Sequence, residues 1–176
     1  MLDHLKMTAF QRHLWLLLMI IIGAILLPAV PVSAEPAIAP SDYRQGKATA
    51  AELYKEGQRL YEAAGMGGDK SAAVGYFKAA AEQGDLEAQV RLGDMYAFGA
   101  GVSPSYESAA YWFTKAAAQG DAKSQLYMGD LYAYGLGVEK DNARALRYMN
   151  MALTNENSDS KTRSMAEKRI NDLSRQ

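Results

Sequence analysis

The chain has 176 residues, of which 49% are apolar and 22% are charged, and its formal net charge is −1. This length allows one domain with a sizeable core, and the near-neutral charge argues against a non-specific nucleic-acid-binding protein, which needs a basic excess. The chain has no cysteine, and its two histidines, His4 and His13, precede the first apolar segment. Disulfide scaffolds, thiol nucleophiles and thiolate metal sites are therefore excluded, and we predict no metal and no other cofactor.

Residues 1–34 have the three-part pattern of a secretory signal peptide. A positively charged start is followed by fourteen uncharged residues, Leu14–Leu27, then by two prolines and the short side chains of Val32–Ala34. We predict cleavage before Glu35, which would make the mature protein periplasmic or secreted. The alternative is an uncleaved helix that anchors the protein in the inner membrane, although such a helix needs about 20 apolar residues.

Residues 35–41 contain two prolines and are typical of an extended linker. Beyond them the chain repeats itself every 36 residues without an insertion. The coinciding sets include Gly57/Gly93/Gly129, Gly65/Gly101/Gly137, Ala73/Ala109/Ala145, Tyr76/Trp112/Tyr148 and Ala80/Ala116/Ala152. This register predicts three repeats within residues 42–157, at about 50–85, 86–121 and 122–157.

Each repeat has the pattern of two helices. The predicted N-caps are Asp85 and Asp121 for first helices and Asp69, Ser105 and Asp141 for second helices. Gly99 and Gly101 are expected to end a first helix in the left-handed conformation. Gly93 and Gly129 lie inside helices, where glycine costs about 1 kcal/mol relative to alanine. They therefore predict close contact with the backbone of the facing helix.

The two ends of the array differ from its middle. Residues 158–176 predict a C-terminal capping helix, because a single apolar stripe that includes Met165, Ala166 and Ile170 is surrounded by charge. Residues 42–64 predict a first helix that is longer than its counterparts. The fold class is therefore all-α, a solenoid of three helix-turn-helix repeats with a C-terminal capping helix.

The motifs of the second repeat are Leu92-Gly93, Tyr96, Gly99-Ala100-Gly101-Val102, Trp112-Phe113 and Lys115-Ala116-Ala117-Ala118-Gln119-Gly120. They resemble the Sel-one-like repeats, which are relatives of the tetratricopeptide repeats. The first repeat departs from this pattern at Leu60 and Ala63, and the third ends in Asn155-Glu156 instead of Gln-Gly. The resemblance spans about residues 50–157. It implies a right-handed superhelix whose concave face binds other proteins, as an adaptor, a regulator or an inhibitor in a bacterial envelope.

The sequence offers little for catalysis. Ser158 and Lys161 match Ser-x-x-Lys of penicillin-interacting enzymes, but the companion motifs are missing. Asp94 and Asp130 occupy equivalent positions and could act as a pair of acids, although solvated aspartates are commoner on such a surface. We therefore predict that the protein is not an enzyme, and we keep a peptidoglycan or β-lactam hydrolase as the less favoured alternative.

One face of the first helices is the candidate binding site. Six residues are expected to lie opposite the core positions, namely Arg91, Asp94, Phe98, Tyr127, Asp130 and Tyr134. Arginine and aromatic residues anchor protein interfaces, so the partner is predicted to be another protein. Alternatively, Phe98 and Tyr134 pack over their own glycine loops and the charged residues only face solvent. The sequence thus predicts an exported interaction scaffold, or alternatively an immunity or inhibitor protein against a toxin.

Overall fold

The structure, a computed structural model, describes residues 48–175. All described residues belong to one compact unit. Residues 48–175 form seven α-helices and no strand. The helices are α1 (Ala50–Ala63), α2 (Ser71–Glu82), α3 (Leu86–Phe98), α4 (Tyr106–Ala118), α5 (Ala122–Tyr134), α6 (Asn142–Thr154) and α7 (Ser160–Leu173). The all-α prediction is confirmed, whereas the predicted signal peptide and linker lie outside the described residues.

The helices pack in chain order, as expected of a solenoid. The closest pairs are α1 with α2, α3 with α4, and α5 with α6, and each pair packs on the next through α2 with α3 and α4 with α5. The last helix, α7, packs on α6 and α5. No pair can bury its apolar side chains alone, so the stacking of neighbours completes each core. The largest fully buried side chains are Leu53, Phe77, Leu92, Met95, Phe113, Met128 and Met149.

Most of the predicted N-caps make the expected hydrogen bond to a backbone N–H in the first turn. The carboxylate of Asp85 accepts from Ala88, and the residues Asp121, Ser105 and Asp141 cap their helices in the same way. Asp69 was predicted one residue too early. Lys70 occupies the N-cap position of α2 without a side-chain bond, because the Asp69 carboxylate closes a shorter turn with the N–H of Ser71 at 2.8 Å.

The two ends of the array are capped locally. At the C-terminus, Asp159 caps α7 through the N–H of Thr162 at 2.6 Å, and α7 buries only Thr162 and Ala166. At the other end, Thr49 and Glu52 form a reciprocal capping box, so that α1 begins at Ala50. The predicted start of this helix at residue 42 was therefore wrong, because the box begins the helix at Ala50. With 14 residues, α1 is one residue longer than α3 and α5.

The helix glycines lie mainly against large side chains of the facing second helix. A Cβ at Gly93 would lie 2.5 Å from Cδ1 of Phe113, and one at Gly57 would lie 2.9 Å from the ring of Phe77. At Gly129 the nearest atom is Cγ of Met149, at 2.6 Å. The carbonyl oxygen of Ala145 on the facing helix also lies 3.2 Å from that Cβ. The prediction of backbone contact is therefore confirmed at Gly129 and wrong at Gly93, where the ring of Phe113 fills the space.

Backbone contact instead joins consecutive repeats at the loop glycines. Gly101 and Gly137 have φ values of +77° and +68°. A Cβ at Gly101 would lie 2.6 Å from the carbonyl carbon of Lys70, and one at Gly137 would lie 2.5 Å from the carbonyl oxygen of Tyr106. Each loop therefore lies against the first residues of the preceding repeat's second helix, where no side chain fits.

A ladder of side-chain amide hydrogen bonds also connects the repeats. The amide of Gln119 donates to the carbonyl oxygen of Gly84 at 3.1 Å and to Oε1 of Gln89 at 2.8 Å. One repeat on, Asn155 makes the same two bonds, to Gly120 at 2.7 Å and to Gln125 at 3.1 Å. Asn155, which departs from the family pattern in sequence, thus keeps the same bonding role.

Candidate protein-binding surface

The six predicted binding residues lie on α3 and α5, and we call them the first-helix face. A groove of about 240 Å³ adjoins this face and is lined by residues from the first helices of all three repeats. Tyr54 comes from α1, Arg91 and Asp94 come from α3, and Lys123 comes from α5. The stacking of the repeats therefore brings together side chains that are far apart in the chain.

Two members of the first-helix face are partly engaged within the fold. The guanidinium carbon of Arg91 lies 5.2 Å from the ring centroid of Tyr61 on α1, a cation–π contact. The ring of Tyr127 lies 5.0 Å from that of Phe113, and the Lys123 ammonium lies 5.3 Å from its centroid. Both residues are half-buried, so each presents a supported side chain to the surface.

The two aspartates of the face are ion-paired with the next unit of the stack. Asp94 pairs with Lys123 at 3.1 Å, and Asp130 pairs with Arg169 of the capping helix. The expectation that they simply face solvent was therefore wrong, because each aspartate forms an ion pair with a basic side chain two helices further along the chain, on α5 or α7. Each carboxylate is matched by its own cation, an arrangement typical of a structural contact.

Burial has a measurable consequence at Asp130, whose side chain is 15% exposed. Desolvation raises the pKa of the Asp130 carboxyl, and the positive charge of Arg169 opposes this shift only in part. The folded state therefore binds this proton more readily than the unfolded state does. The stability contributed by this group increases as the pH falls through the raised pKa towards the unfolded value.

We predict that the stability of the wild type relative to Asp130→Asn rises by about 1 kcal/mol as the pH is lowered from neutral to about 4. Urea denaturation followed by circular dichroism at several pH values measures this difference. Arg169→Met should enlarge the pH effect, because it leaves the half-buried carboxylate unpaired. The double variant Asp130→Asn/Arg169→Met has no carboxylate at this site, so its stability should depend on pH as that of Asp130→Asn does. If the double variant kept the pH dependence of the wild type, the assignment to Asp130 would be contradicted.

Phe98 and Tyr134 end their helices with most of their side chains in solvent. Phe98 is 74% exposed and Tyr134 is 69% exposed. The glycine that follows each of them is approached by a different residue: the nearest side chain to a Cβ at Gly99 is Pro104, and the nearest at Gly135 is Lys140. These contacts do not support the alternative in which the aromatic rings cover their own loops.

The Ser-x-x-Lys match lies at the start of the capping helix. Ser158 is buried beneath it, and within residues 48–175 its hydroxyl has no hydrogen-bond partner. Lys161 is exposed, and Asp159 between them caps α7. The match thus coincides with a helix N-terminus.

The profile of the Sel1 repeat matches residues 48–85, 86–121 and 122–157. The chain belongs to the Sel1 repeat family. The resemblance seen in the sequence is thereby confirmed. Sel1 repeat proteins are in general non-catalytic scaffolds that bind other proteins.

Among residues 48–175, no helix is long and apolar enough to cross a membrane. No curated protein matches the chain.

Two solved Sel1-type structures are similar to this chain. One is c5321, a protective antigen present in uropathogenic Escherichia coli strains, with 30% identity and a TM-score of 0.63 over 78% of this chain. This chain covers only 28% of that longer protein. The other is a Sel1 repeat protein from Oxalobacter formigenes, with 29% identity and a TM-score of 0.60 over 75% of this chain and 93% of that one.

Proposed function

We propose that this Sel1 repeat protein is an exported scaffold that binds a partner protein in the bacterial periplasm through its first-helix face. The observation that carries this proposal is the repeated exposure of a large aromatic residue. Phe98 and Tyr134 occupy equivalent positions in consecutive repeats and are 74% and 69% exposed, while the cores beneath them are fully packed. Exposed aromatic residues on a rigid surface are the usual anchors of protein interfaces.

The rigidity of the surface supports this proposal. Amide hydrogen bonds, ion pairs and backbone contacts fix each repeat against the next, as at Gln119, Asp94 and Gly101. A pre-organised surface loses little conformational entropy when it binds, so a few anchors give useful affinity. The ion-paired aspartates hold the helices in position, and the aromatic side chains remain free to contact a partner.

We predict that the double variant Phe98→Ala/Tyr134→Ala loses its partner in a crosslinked pull-down from envelope extracts. Each removed anchor should cost about 2 kcal/mol, so recovery should fall at least tenfold. Met151→Ala is the matched control, because Met151 is also large and 46% exposed but lies on the second helix α6. The control should recover the same partner as the wild type.

Equal recovery by the wild type and the double variant would remove the two aromatic residues from the proposal. The identity of the recovered protein distinguishes the roles that a scaffold can have. A signalling or assembly protein would indicate an adaptor or a regulator. A toxin whose activity is blocked in the complex would indicate an immunity protein.

The proposal that the protein is exported depends on the signal-peptide pattern of residues 1–34. We predict that the protein isolated from the envelope begins at Glu35, because Val32–Ala34 provides the small residues that signal peptidase requires. N-terminal sequencing measures this directly. A chain that still begins at Met1 in the membrane fraction would instead indicate the anchored form.

A further inference from the structure

A second groove shares no lining residue with the first-helix face. It measures about 450 Å³ and lies between α2 and α4, with Tyr96 of α3 also in its lining. Its lining combines the aromatic residues Tyr96 and Trp112 with the carboxylates of Glu82 and Glu107. Such a combination of ring faces and negative charge is suited to a cation.

At the equivalent place one repeat further on, the chain itself provides a cation. There the rings of Tyr132 and Tyr148 stack, with centroids 5.7 Å apart and planes 12° apart. The guanidinium carbon of Arg144 lies 5.5 Å from the centroid of Tyr132, and its Nε pairs with Asp141 at 3.1 Å. The molecule therefore shows which group this site accepts.

The groove between α2 and α4 lacks an arginine at the equivalent position, and it has two carboxylates that the next repeat lacks. Ser108 stands where the third repeat has Arg144. Within residues 48–175, no cation lies over the Tyr96 ring, which corresponds to Tyr132. Glu82 and Glu107 stand where the next repeat has two alanines, Ala118 and Ala143. One groove thus contains its own cation, whereas the other contains two additional carboxylates.

We propose that the groove between α2 and α4 binds an arginine side chain of a partner protein, in the position that Arg144 occupies one repeat on. A guanidinium is planar, so it stacks on an aromatic face while its N–H groups donate to carboxylates. The half-buried Tyr96 provides the aromatic face that corresponds to Tyr132, and Glu82 and Glu107 provide the acceptors. Trp112 also lines the groove, although only 5% of it is exposed. This proposal does not depend on the first-helix face, since the groove shares no lining residue with it.

Among residues 48–175, Lys78 is the one basic side chain that lines this groove, while the Lys115 ammonium lies 5.1 Å from the ring centroid of the lining residue Tyr111. It pairs with Glu82 at 3.9 Å, and both side chains are more than half exposed. A pair of this kind contributes little and is easily displaced. The equivalent position in the next repeat is Thr114, which carries no charge. Lys78 should therefore weaken arginine binding without preventing it.

The test is an NMR titration of ¹⁵N-labelled residues 36–176, which form a compact unit of their own. Trp112 is the only tryptophan in this segment, so its indole N–H gives a single resonance that reports on the groove. The probes are three capped tripeptides, Gly-Arg-Gly, Gly-citrulline-Gly and Gly-Phe-Gly. Citrulline has the shape of arginine without its charge.

We expect saturable shifts of the Trp112 indole and of the Glu107 amide with the arginine peptide, and binding at least tenfold weaker with citrulline. Equal affinity for arginine and citrulline would overturn the proposal. Tighter binding of the phenylalanine peptide would also overturn it, in favour of an apolar occupant. Circular dichroism checks that the two variants described next, Ser108→Arg and Lys78→Thr, keep the helical fold.

Two variants take their residues from the equivalent groove. Ser108→Arg supplies the arginine that the next repeat already has, and it should abolish binding of the arginine peptide by filling the groove. Lys78→Thr removes the competing charge and should strengthen binding several-fold. Undiminished binding by Ser108→Arg, or weaker binding by Lys78→Thr, would overturn the proposal.

Discussion

Gly137→Ala is expected to lower the free energy of unfolding by about 3–5 kcal/mol. Two penalties add at this position. The φ value of +68° is costly for any residue with a Cβ. The new methyl group would also overlap the backbone of Tyr106 and Glu107, which belongs to the preceding repeat and cannot move away as a side chain can. Urea denaturation followed by circular dichroism measures the loss.

The first repeat offers a matched control for this prediction. Gly65 occupies the same position and has a similar φ value of +64°, but no atom lies within 4 Å of the place where its Cβ would be. Gly65→Ala should therefore show only the conformational cost, about 1–2 kcal/mol. If both variants lost the same stability, the contact between repeats at Gly137 would not contribute.

Gly93→Ala is the second substitution that we expect to lower the free energy of unfolding strongly. Alanine has the higher helix propensity by about 1 kcal/mol, so an exposed glycine in this helix would be improved by the change. Here the methyl group would overlap the ring of Phe113, which is 2% exposed and has no free space. We expect a net loss of about 2 kcal/mol, because overpacking of a dense core outweighs the propensity gain.

A second substitution tests the cause of that loss. Phe113→Leu replaces the phenyl ring with a smaller branched side chain, so it should reduce the effect of Gly93→Ala when the two are combined. Gly129→Ala is a useful comparison, since its neighbour is the flexible Met149 and the loss should be smaller. If the losses of stability caused by Gly93→Ala and Phe113→Leu simply added in the double variant, the proposed overlap would be contradicted.

These glycines show what the solenoid requires of its sequence. Within a repeat, a helix glycine admits the large side chain of the second helix, as Gly93 admits Phe113. Between repeats, a loop glycine admits backbone, and amides such as Gln89 and Gln119 complete the contact. The result is a rigid platform that can carry separate binding surfaces on its first and second helices.

Much of the fold could be predicted from the periodicity alone. A strict repeat of 36 residues places equivalent residues in equivalent environments, so helix pairs, most caps and the capping helix follow from local rules. The buried amides Gln89 and Gln125 were overlooked, although their recurrence at one repeat position was a visible signal. Comparing Ser108 with Arg144 would likewise have pointed to the open groove.

The sequence by itself determined the number of helix pairs, their order and which side of each helix is apolar, because these depend on local propensity and on spacing along the chain. Only the tertiary structure decided what each glycine and each aspartate contacts. Lys123 reaches Asp94, Arg169 reaches Asp130, and Phe113 fills the space beside Gly93, since these contacts depend on how far one helix is shifted and rotated against the next. That displacement is set by packing between helices, which no single helix encodes.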